Sequence, residues 1–249
     1  MVLGTIAHAA APDNKKITSL SYLMYHTPPM GWVDDQGKAQ GIFHEMAQRL
    51  VAEVDPTIQL HYGDATDKRL LHKLLAGEVD FIYGVYDPRL FDHAVMLSHV
   101  GAMPLELWSL PEQPMTTNLD LPDAQIALIS IFARQPILHK SDLLIQSSSN
   151  PLVKMLLAKR VAGVVGLRPV LQYGAYNERK RPEDFVRMRL TEVNAYLWVS
   201  KNSKINQNLE LWQEAALRGN SPEVFDLLAS QMQDKYSPEK SAKGRRPPR

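Results

Sequence analysis

The sequence predicts an α/β protein built on doubly wound parallel sheets. Residues 17–84 alternate between short apolar runs of strand length and longer runs with helical spacing, in the order β-α-β-α-β. A second strand–helix–strand unit is predicted over residues 125–167, with a helix that is capped at Asn150 and runs to about Arg160. Alternation of this kind is typical of parallel strands joined by right-handed helical crossovers. Because such sheets bind ligands beyond the carboxyl ends of their strands, any site is expected in the loops that follow the strands.

Local chemistry marks each element of the first unit. Residues 34–37 combine acidic residues with glycine as tight turns do, and Gly41 opens an apolar pattern with helical spacing. A second helix is predicted to be capped at residues 66–67 and to stop at Gly77. The continuous apolar run of residues 79–84 is typical of a strand that is buried on both faces.

Composition limits the function classes. The 249 residues are 45% hydrophobic and 22% charged, an ordinary globular mixture that suits one large domain or two lobes. The net charge of +1 argues against a nucleic-acid surface, and no apolar stretch approaches the ~18 residues of a membrane span. The chain has no cysteine, which excludes disulfides and thiol chemistry.

Two stretches carry a family resemblance. Residues 28–46 contain Pro-Pro, an acidic turn with Gly-Lys and a glycine–hydrophobic helix start, with Met30 at a position that is usually aromatic. Residues 70–84 form a leucine-rich helix ending in Gly-x-Val-Asp, followed by a strand that ends in glycine. Together they resemble the periplasmic solute-binding proteins of the polar amino acid importer type, bacterial extracellular solute-binding family 3, which have the type II periplasmic binding protein fold.

This resemblance implies two doubly wound lobes joined by a hinge. Lobe 1 is expected to comprise residues 17–105 and 198–235, and lobe 2 residues 106–197. Residues 1–16, which contain a small-x-small pattern, are interpreted as a signal-peptide remnant or flexible terminus. Residues 236–249 are interpreted as a disordered basic tail.

The resemblance also implies a function. The protein is expected to be a periplasmic monomer that captures a small polar or anionic organic solute by hinge closure and docks on the membrane permease of an ABC-type importer. The alternative is a sensory or scaffolding relative with an altered cleft that signals through a membrane or protein partner. An enzyme on the same fold is a third interpretation, but no phosphate loop, nucleophile elbow or metalloprotease motif is present. No metal and no cofactor are expected.

Ten residues form the predicted ligand-binding set. They are Tyr25, Met30, Trp32, Tyr83, Gly84, Val85, Tyr86, Arg89, Ser130 and Arg168. In the resembling family, aromatic side chains of the first loop pack against the solute, and the end of the third strand offers backbone groups. The alternative for the aromatic members of the set is an ordinary place in the core or at its rim.

The arginine with which the resembling family binds the carboxylate of its solute is not at its usual position in this sequence. The family places an arginine seven residues after the glycine that stands here at Gly84, because a guanidinium binds a carboxylate through two parallel hydrogen bonds. Phe91 occupies that position, and Arg89 lies two residues earlier. Arg89 either turns into the cleft or pairs at the surface with Asp87 or Asp92.

The second lobe departs more strongly. Ala162 and Leu167 replace its two acidic residues, the second of which binds the amino group of the solute. Losing one partner of a buried charge pair costs about 2–5 kcal/mol, so an ordinary α-amino acid is not expected as ligand. Arg168 follows, and with Arg89 it favours an anionic solute unless it points to solvent from the N-terminal turn of a helix. Ser130 and its neighbour stand where the family has a Gly-Ser or Gly-Thr anion nest, which weakens this lobe as a carboxylate holder.

Overall fold

The computed structural model describes residues 16–115, 125–129, 132–133, 142–146 and 148–236. The strands are β1 (Ser19–Tyr25), β2 (Trp32–Val33), β3 (Ala39–Gln40), β4 (Gln59–Ala65), β5 (Phe81–Val85), β6 (Ala94–Ser109), β7 (Gln125–Ile129), β8 (Asp142–Gln146), β9 (Gly163–Leu167) and β10 (Val186–Ser200). The helices are α1 (Ile42–Val54), α2 (Asp67–Leu75), α3 (Leu152–Leu157), α4 (Arg168–Asn177), α5 (Leu209–Gly219) and α6 (Pro222–Tyr236). The expected leader remnant and nearly all of the basic tail lie outside the described residues.

Eight strands form one sheet in the order β4-β1-β5-β10-β6-β9-β7-β8. The strands of the first unit, β4, β1 and β5, are parallel, and so are β8, β7 and β9 of the second. Between the two groups run the long strands β6 and β10, which pair antiparallel with each other. The second half of β10 adjoins β5, whereas the second half of β6 adjoins β9. This arrangement gives the predicted α/β fold of two doubly wound lobes, with β6 and β10 crossing between them.

The predicted elements of the first unit are present, and some features of the fold were not predicted. The helix expected from Asn150 to Arg160 is only α3, which ends before Lys159 adopts a left-handed φ of 55°. Asn150 makes no cap for α3. Helix α4 begins directly after β9 and has Arg168 in its first turn, which is the alternative considered for that residue. The acidic turn joins β2 and β3 into a small hairpin.

Glycine at the start of α1 is required by its backbone. Gly41 has a φ of 104°, and an added Cβ would lie 2.7 Å from the carbonyl oxygen of Met30 and 2.8 Å from that of Pro29. Any other L-residue would combine left-handed strain with this clash. The close approach lets Phe43 donate its backbone N–H to the Met30 carbonyl at 2.8 Å, which fixes the first loop against α1.

The aspartate of the Gly-x-Val-Asp motif has a structural role. One carboxylate oxygen of Asp80 accepts hydrogen bonds from the backbone N–H and the hydroxyl of Ser21 at 2.8 and 3.1 Å. The other oxygen accepts a hydrogen bond from the Ser203 hydroxyl at 2.7 Å. Asp80 therefore ties β1 to the turn that follows β10, where the chain has returned to the first lobe.

A buried amide ties the two C-terminal helices to the same lobe. Asn220 is fully buried between α5 and α6. Its side-chain oxygen accepts a hydrogen bond from the Tyr83 hydroxyl at 2.5 Å, and its side-chain nitrogen donates to the Met46 carbonyl at 3.1 Å. One side chain thus joins β5, α1 and the α5–α6 turn.

Replacing Asn220 by alanine is expected to lower the free energy of unfolding by about 1–3 kcal/mol, because it leaves a buried hydroxyl and a buried carbonyl without their partner. Urea unfolding followed by circular dichroism measures this loss. The matched control is Asn177→Ala on the exposed end of α4, for which a change within about 0.5 kcal/mol is expected. Equal losses in the two variants would show that the buried amide is not a tie.

Candidate interlobe site

A small cavity lies where the ends of β1, β5, β7 and β9 meet. Its volume is about 30 Å³. We call it the central cavity; its wall consists of Tyr25, Thr27, Met30, Phe43, Gly84, Val85, Met103, Ile129, Phe132, Leu167 and Ala195. Residues of both parallel groups of strands contribute, so the cavity lies between the two lobes, where the fold is expected to place a ligand.

The wall of the central cavity is apolar. None of its described residues carries a charge. The Tyr25 hydroxyl is hydrogen-bonded to Asp67, and the Thr27 hydroxyl donates to the Tyr25 carbonyl at 3.1 Å. Burial, followed by the nearby carboxylates of Asp67 and Asp87, raises the pKa of Tyr25, which therefore stays a neutral phenol. Both hydroxyls therefore already have hydrogen-bond partners, and the rest of the wall offers a ligand van der Waals contacts.

The cavity leaves no room for an organic solute in this conformation. Its 30 Å³ has room for about two or three water molecules, since one water molecule needs about 10–15 Å³ of such space. The space is filled by Met30 from the first lobe and by Phe132 and Leu167 from the second, all of which are buried. Leu167 stands at the position where the resembling family binds the amino group of its solute. The two lobes therefore contact each other through apolar side chains.

Four residues of the predicted set lie together in this wall: Tyr25, Met30, Gly84 and Val85. The structure does not bring Tyr83 to it. That side chain is fully buried, stacks on Phe43 with ring centroids 5.1 Å apart, and donates its hydroxyl to Asn220. Tyr83 thus packs in the core, which is the alternative considered for the aromatic residues.

The aromatic rings of Trp32 and Tyr86 lie elsewhere. Trp32 contacts Tyr173 of α4 and Tyr236 of α6, with centroid distances of 6.0 and 6.3 Å. Tyr86 is 56% exposed and packs edge-on against Phe91 and Tyr196 at the surface. Neither side chain belongs to the wall of the central cavity.

The two predicted arginines do not converge. Arg89 pairs with Asp87, which accepts its side-chain Nε–H and backbone N–H, so the surface pair is the arrangement found. Arg168 pairs with the buried Glu106, its Nε lying 2.6 Å from Oε1. Neither arginine lines the central cavity. The cationic edge expected from this pair is therefore not formed there, and Ser130 lies outside the described residues.

Sequence reasoning missed Thr27, Phe43, Met103, Ile129, Phe132 and Ala195 as wall residues. Ile129 ends β7 and Phe132 comes three residues later, so their place at a strand end was the available signal. Met103 and Ala195 lie on the crossing strands β6 and β10. Nothing in a local pattern marks which residue of a 15- or 16-residue strand passes the cleft.

A larger groove flanks the cavity. It has a volume of about 570 Å³ and runs between the first loop, the start of α3 and one side of α4. In it, His26 donates its Nδ1–H to Asp64 at 2.5 Å, which leaves Nε2 to accept the side-chain amide of Asn150 at 3.3 Å. Asp34, Asp35, Lys154 and Glu178 also line this groove, which we call the polar groove.

The sheet order, the two crossing strands and the interlobe cavity define a protein with the type II periplasmic binding protein fold. The solute receptor for L-cysteine of Neisseria gonorrhoeae is similar, with a TM-score of 0.70 and 16% identity over 90% of this chain and 93% of that one. A mutant of ArgBP from T. maritima has a TM-score of 0.69 and 15% identity over 87% and 96% of the two chains.

A histidine kinase sensor domain with similarity to periplasmic binding proteins is also similar, with a TM-score of 0.70 and 14% identity over 86% of this chain and 95% of that one. No family model and no curated protein matches the sequence. At these identities the likeness defines the fold and leaves the ligand open. Among the described residues, no helix has the length and hydropathy to cross a bilayer.

Proposed function

We propose that the protein is a sensory or scaffolding module of the type II periplasmic binding fold. In this proposal apolar side chains hold its lobes together in the place of a solute. The observation that carries the proposal is the central cavity, which measures about 30 Å³ and has no charged described residue in its wall. The output of such a module is contact with a membrane or protein partner.

Energetics supports this assignment. A zwitterionic or anionic solute would leave water for an apolar wall in which no described residue is a charged partner, which costs several kcal/mol. Burial of Met30, Phe132 and Leu167 favours closure without a ligand, since each fully buried apolar side chain contributes about 1.5–3 kcal/mol. The equilibrium between open and closed forms is then set by the chain itself instead of by a solute.

Small-angle X-ray scattering combined with a thermal-unfolding screen tests the proposal. The panel contains α-amino acids, dicarboxylates, polyamines and short peptides at high concentration. We expect closed lobes without additives, an unchanged scattering profile in every mixture and no rise in melting temperature. A receptor saturated at ~100 times its dissociation constant gains about 2.7 kcal/mol, or roughly 5–10 °C for a chain of this size. A shift of that size, with compaction of an open apo form, would reject the proposal.

The second candidate is the solute receptor of an ABC-type importer. The polar groove favours it, because the groove offers 570 Å³ between the lobes and polar side chains that the central cavity lacks. Its solute would have to lie beside the central cavity instead of in it. Loss of a thermal shift in a Lys154→Ala variant, for a solute that stabilises the parent chain, is the result expected of a receptor that uses the polar groove.

We also propose a periplasmic location, a monomeric state and two lobes, which comprise residues 17–105 with 198–235 and residues 106–197. Cell fractionation of the natural gene product and sedimentation of the purified chain examine the first two. Limited proteolysis followed by mass spectrometry examines the third, because cuts between lobes concentrate in the exposed connections. A cytoplasmic product would contradict the extracytoplasmic role.

A further inference from the structure

A second cavity lies between α4 and α6. Its volume is about 240 Å³, and it shares no lining residue with the central cavity. We call it the α4–α6 pocket. Its wall consists of Pro29, Pro104, Arg168, Pro169, Gln172, Tyr173, Tyr176, Asp226, Ala229, Ser230, Met232, Gln233 and Tyr236. Drug-sized ligands occupy pockets of about 300–1,000 Å³, so this one fits a smaller metabolite.

Arg168, which lines the α4–α6 pocket, is held in place by a buried carboxylate. The carboxylate of Glu106 is 4% exposed and accepts the Arg168 Nε–H at 2.6 Å through Oε1. Its Oε2 accepts the Trp108 indole N–H at 2.8 Å. Because Glu106 is fixed at both oxygens, the guanidinium has a defined orientation. Its two terminal amino groups have no hydrogen-bond partner within the described part of the chain, and they suit a carboxylate.

Aromatic rings line another part of the α4–α6 pocket. Tyr173 and Tyr236 meet edge-to-face with centroids 5.0 Å apart, and Trp32 packs against both rings from outside. Three prolines complete the apolar wall. Rings of this kind prefer offset or edge-on contact with another ring, which adds about 0.5–1.5 kcal/mol to the burial of area.

We propose that the α4–α6 pocket binds a small monocarboxylate that carries an aromatic ring. The carboxylate lies on the terminal amino groups of Arg168, and the ring packs against Tyr173 and Tyr236. Asp226 is exposed at the edge of the pocket and disfavours a second negative charge on the ligand. The proposal goes beyond the assigned role of the central cavity and does not depend on it.

The position of the α4–α6 pocket links ligand binding to the lobes. Helix α4 follows β9 of the second parallel group, whereas α6 packs on α1 and β6. A rotation of one lobe against the other changes the distance between the two walls. The ligand therefore binds one lobe arrangement more tightly than others and shifts the population toward it.

Calorimetric titration of the purified full chain with benzoate and phenylacetate tests the proposal. Benzamide lacks the charge and is expected to bind at least about tenfold more weakly, and cyclohexanecarboxylate lacks the aromatic ring and is expected to bind about two- to tenfold more weakly. The fluorescence of Trp32 serves as a second readout because its ring contacts Tyr173 and Tyr236. In a Trp32→Phe variant the fluorescence change on titration should fall while calorimetric binding persists.

Two variants locate the site. Arg168→Lys keeps a positive charge beside Glu106, so the fold is retained, but it loses the planar fork and is expected to weaken benzoate at least about tenfold. Ser230→Trp fills the pocket from α6 and is expected to abolish binding, whereas Gln231→Trp, on the same helix outside the pocket, should bind as the parent does. The proposal is overturned if neither acid binds, if Arg168→Lys binds within twofold of the parent, or if both tryptophan variants behave alike.

Discussion

Replacing Leu167 by aspartate is expected to open the lobes and to lower the free energy of unfolding by about 3–5 kcal/mol at pH 8. Leu167 is 5% exposed in the central cavity, where no described neighbour in the wall is cationic. An uncompensated buried charge costs about this much. Opening of the lobes lets water reach the introduced carboxylate, so part of the cost appears as an increase in the radius of gyration.

The free energy of unfolding lost in the Leu167→Asp variant should depend on pH. The apolar wall raises the pKa of the introduced carboxyl in the closed form above its value in the unfolded chain. The destabilisation is therefore complete above the raised pKa and decreases as the pH falls through it and the group becomes neutral. Urea unfolding and X-ray scattering at pH 8 and pH 5 measure both effects.

Leu167→Asn is the matched control for Leu167→Asp, because it has the same shape without the charge. It should be destabilised to a similar extent at both pH values. If the aspartate variant scatters as the parent does and loses less than about 1 kcal/mol at pH 8, the lobes are not held together through Leu167. That result would also remove the main support for the sensory or scaffolding proposal.

The fold was largely predictable because its evidence is local. Glycine is required at position 41 because its φ is 104° and other backbone atoms approach it closely. Aspartate is required at position 80 because its carboxylate accepts hydrogen bonds from Ser21. At both positions the residue type therefore indicates a local structural requirement. Helix α4 was considered only as the alternative for Arg168, since it starts directly after the last residue of β9 without an intervening turn. The early end of α3 depends on Lys159, whose left-handed φ is adopted without glycine.

The site was predictable only in part, because its chemistry depends on which way side chains point. Tyr83 and Gly84 are neighbours on β5, yet Tyr83 packs beneath α1 while Gly84 reaches the cavity. This follows from the two-residue period of a strand. The ion pair between Arg89 and Asp87 could have been chosen from the sequence, because two residues this close along the chain pair with little loss of conformational entropy. Contacts across the cleft, such as those of Phe132 in the cavity wall, required the tertiary structure.

The pair of Glu106 and Arg168 gives the other large expected effect. Arg168→Met should lower the free energy of unfolding by about 3 kcal/mol, because it leaves the buried carboxylate with the Trp108 indole as its one described partner. The value lies at the lower end of the range for broken buried pairs. Arg168 is 42% exposed, so solvent already screens its side of the interaction.

A double-mutant cycle separates the pair from simple loss of packing. Adding Glu106→Gln to Arg168→Met removes the stranded charge and keeps an oxygen for Trp108, so most of the lost stability should return. If the double variant is no more stable than Arg168→Met, the buried charge is not what Arg168 neutralises. The fixed orientation on which the α4–α6 pocket depends would then have another source.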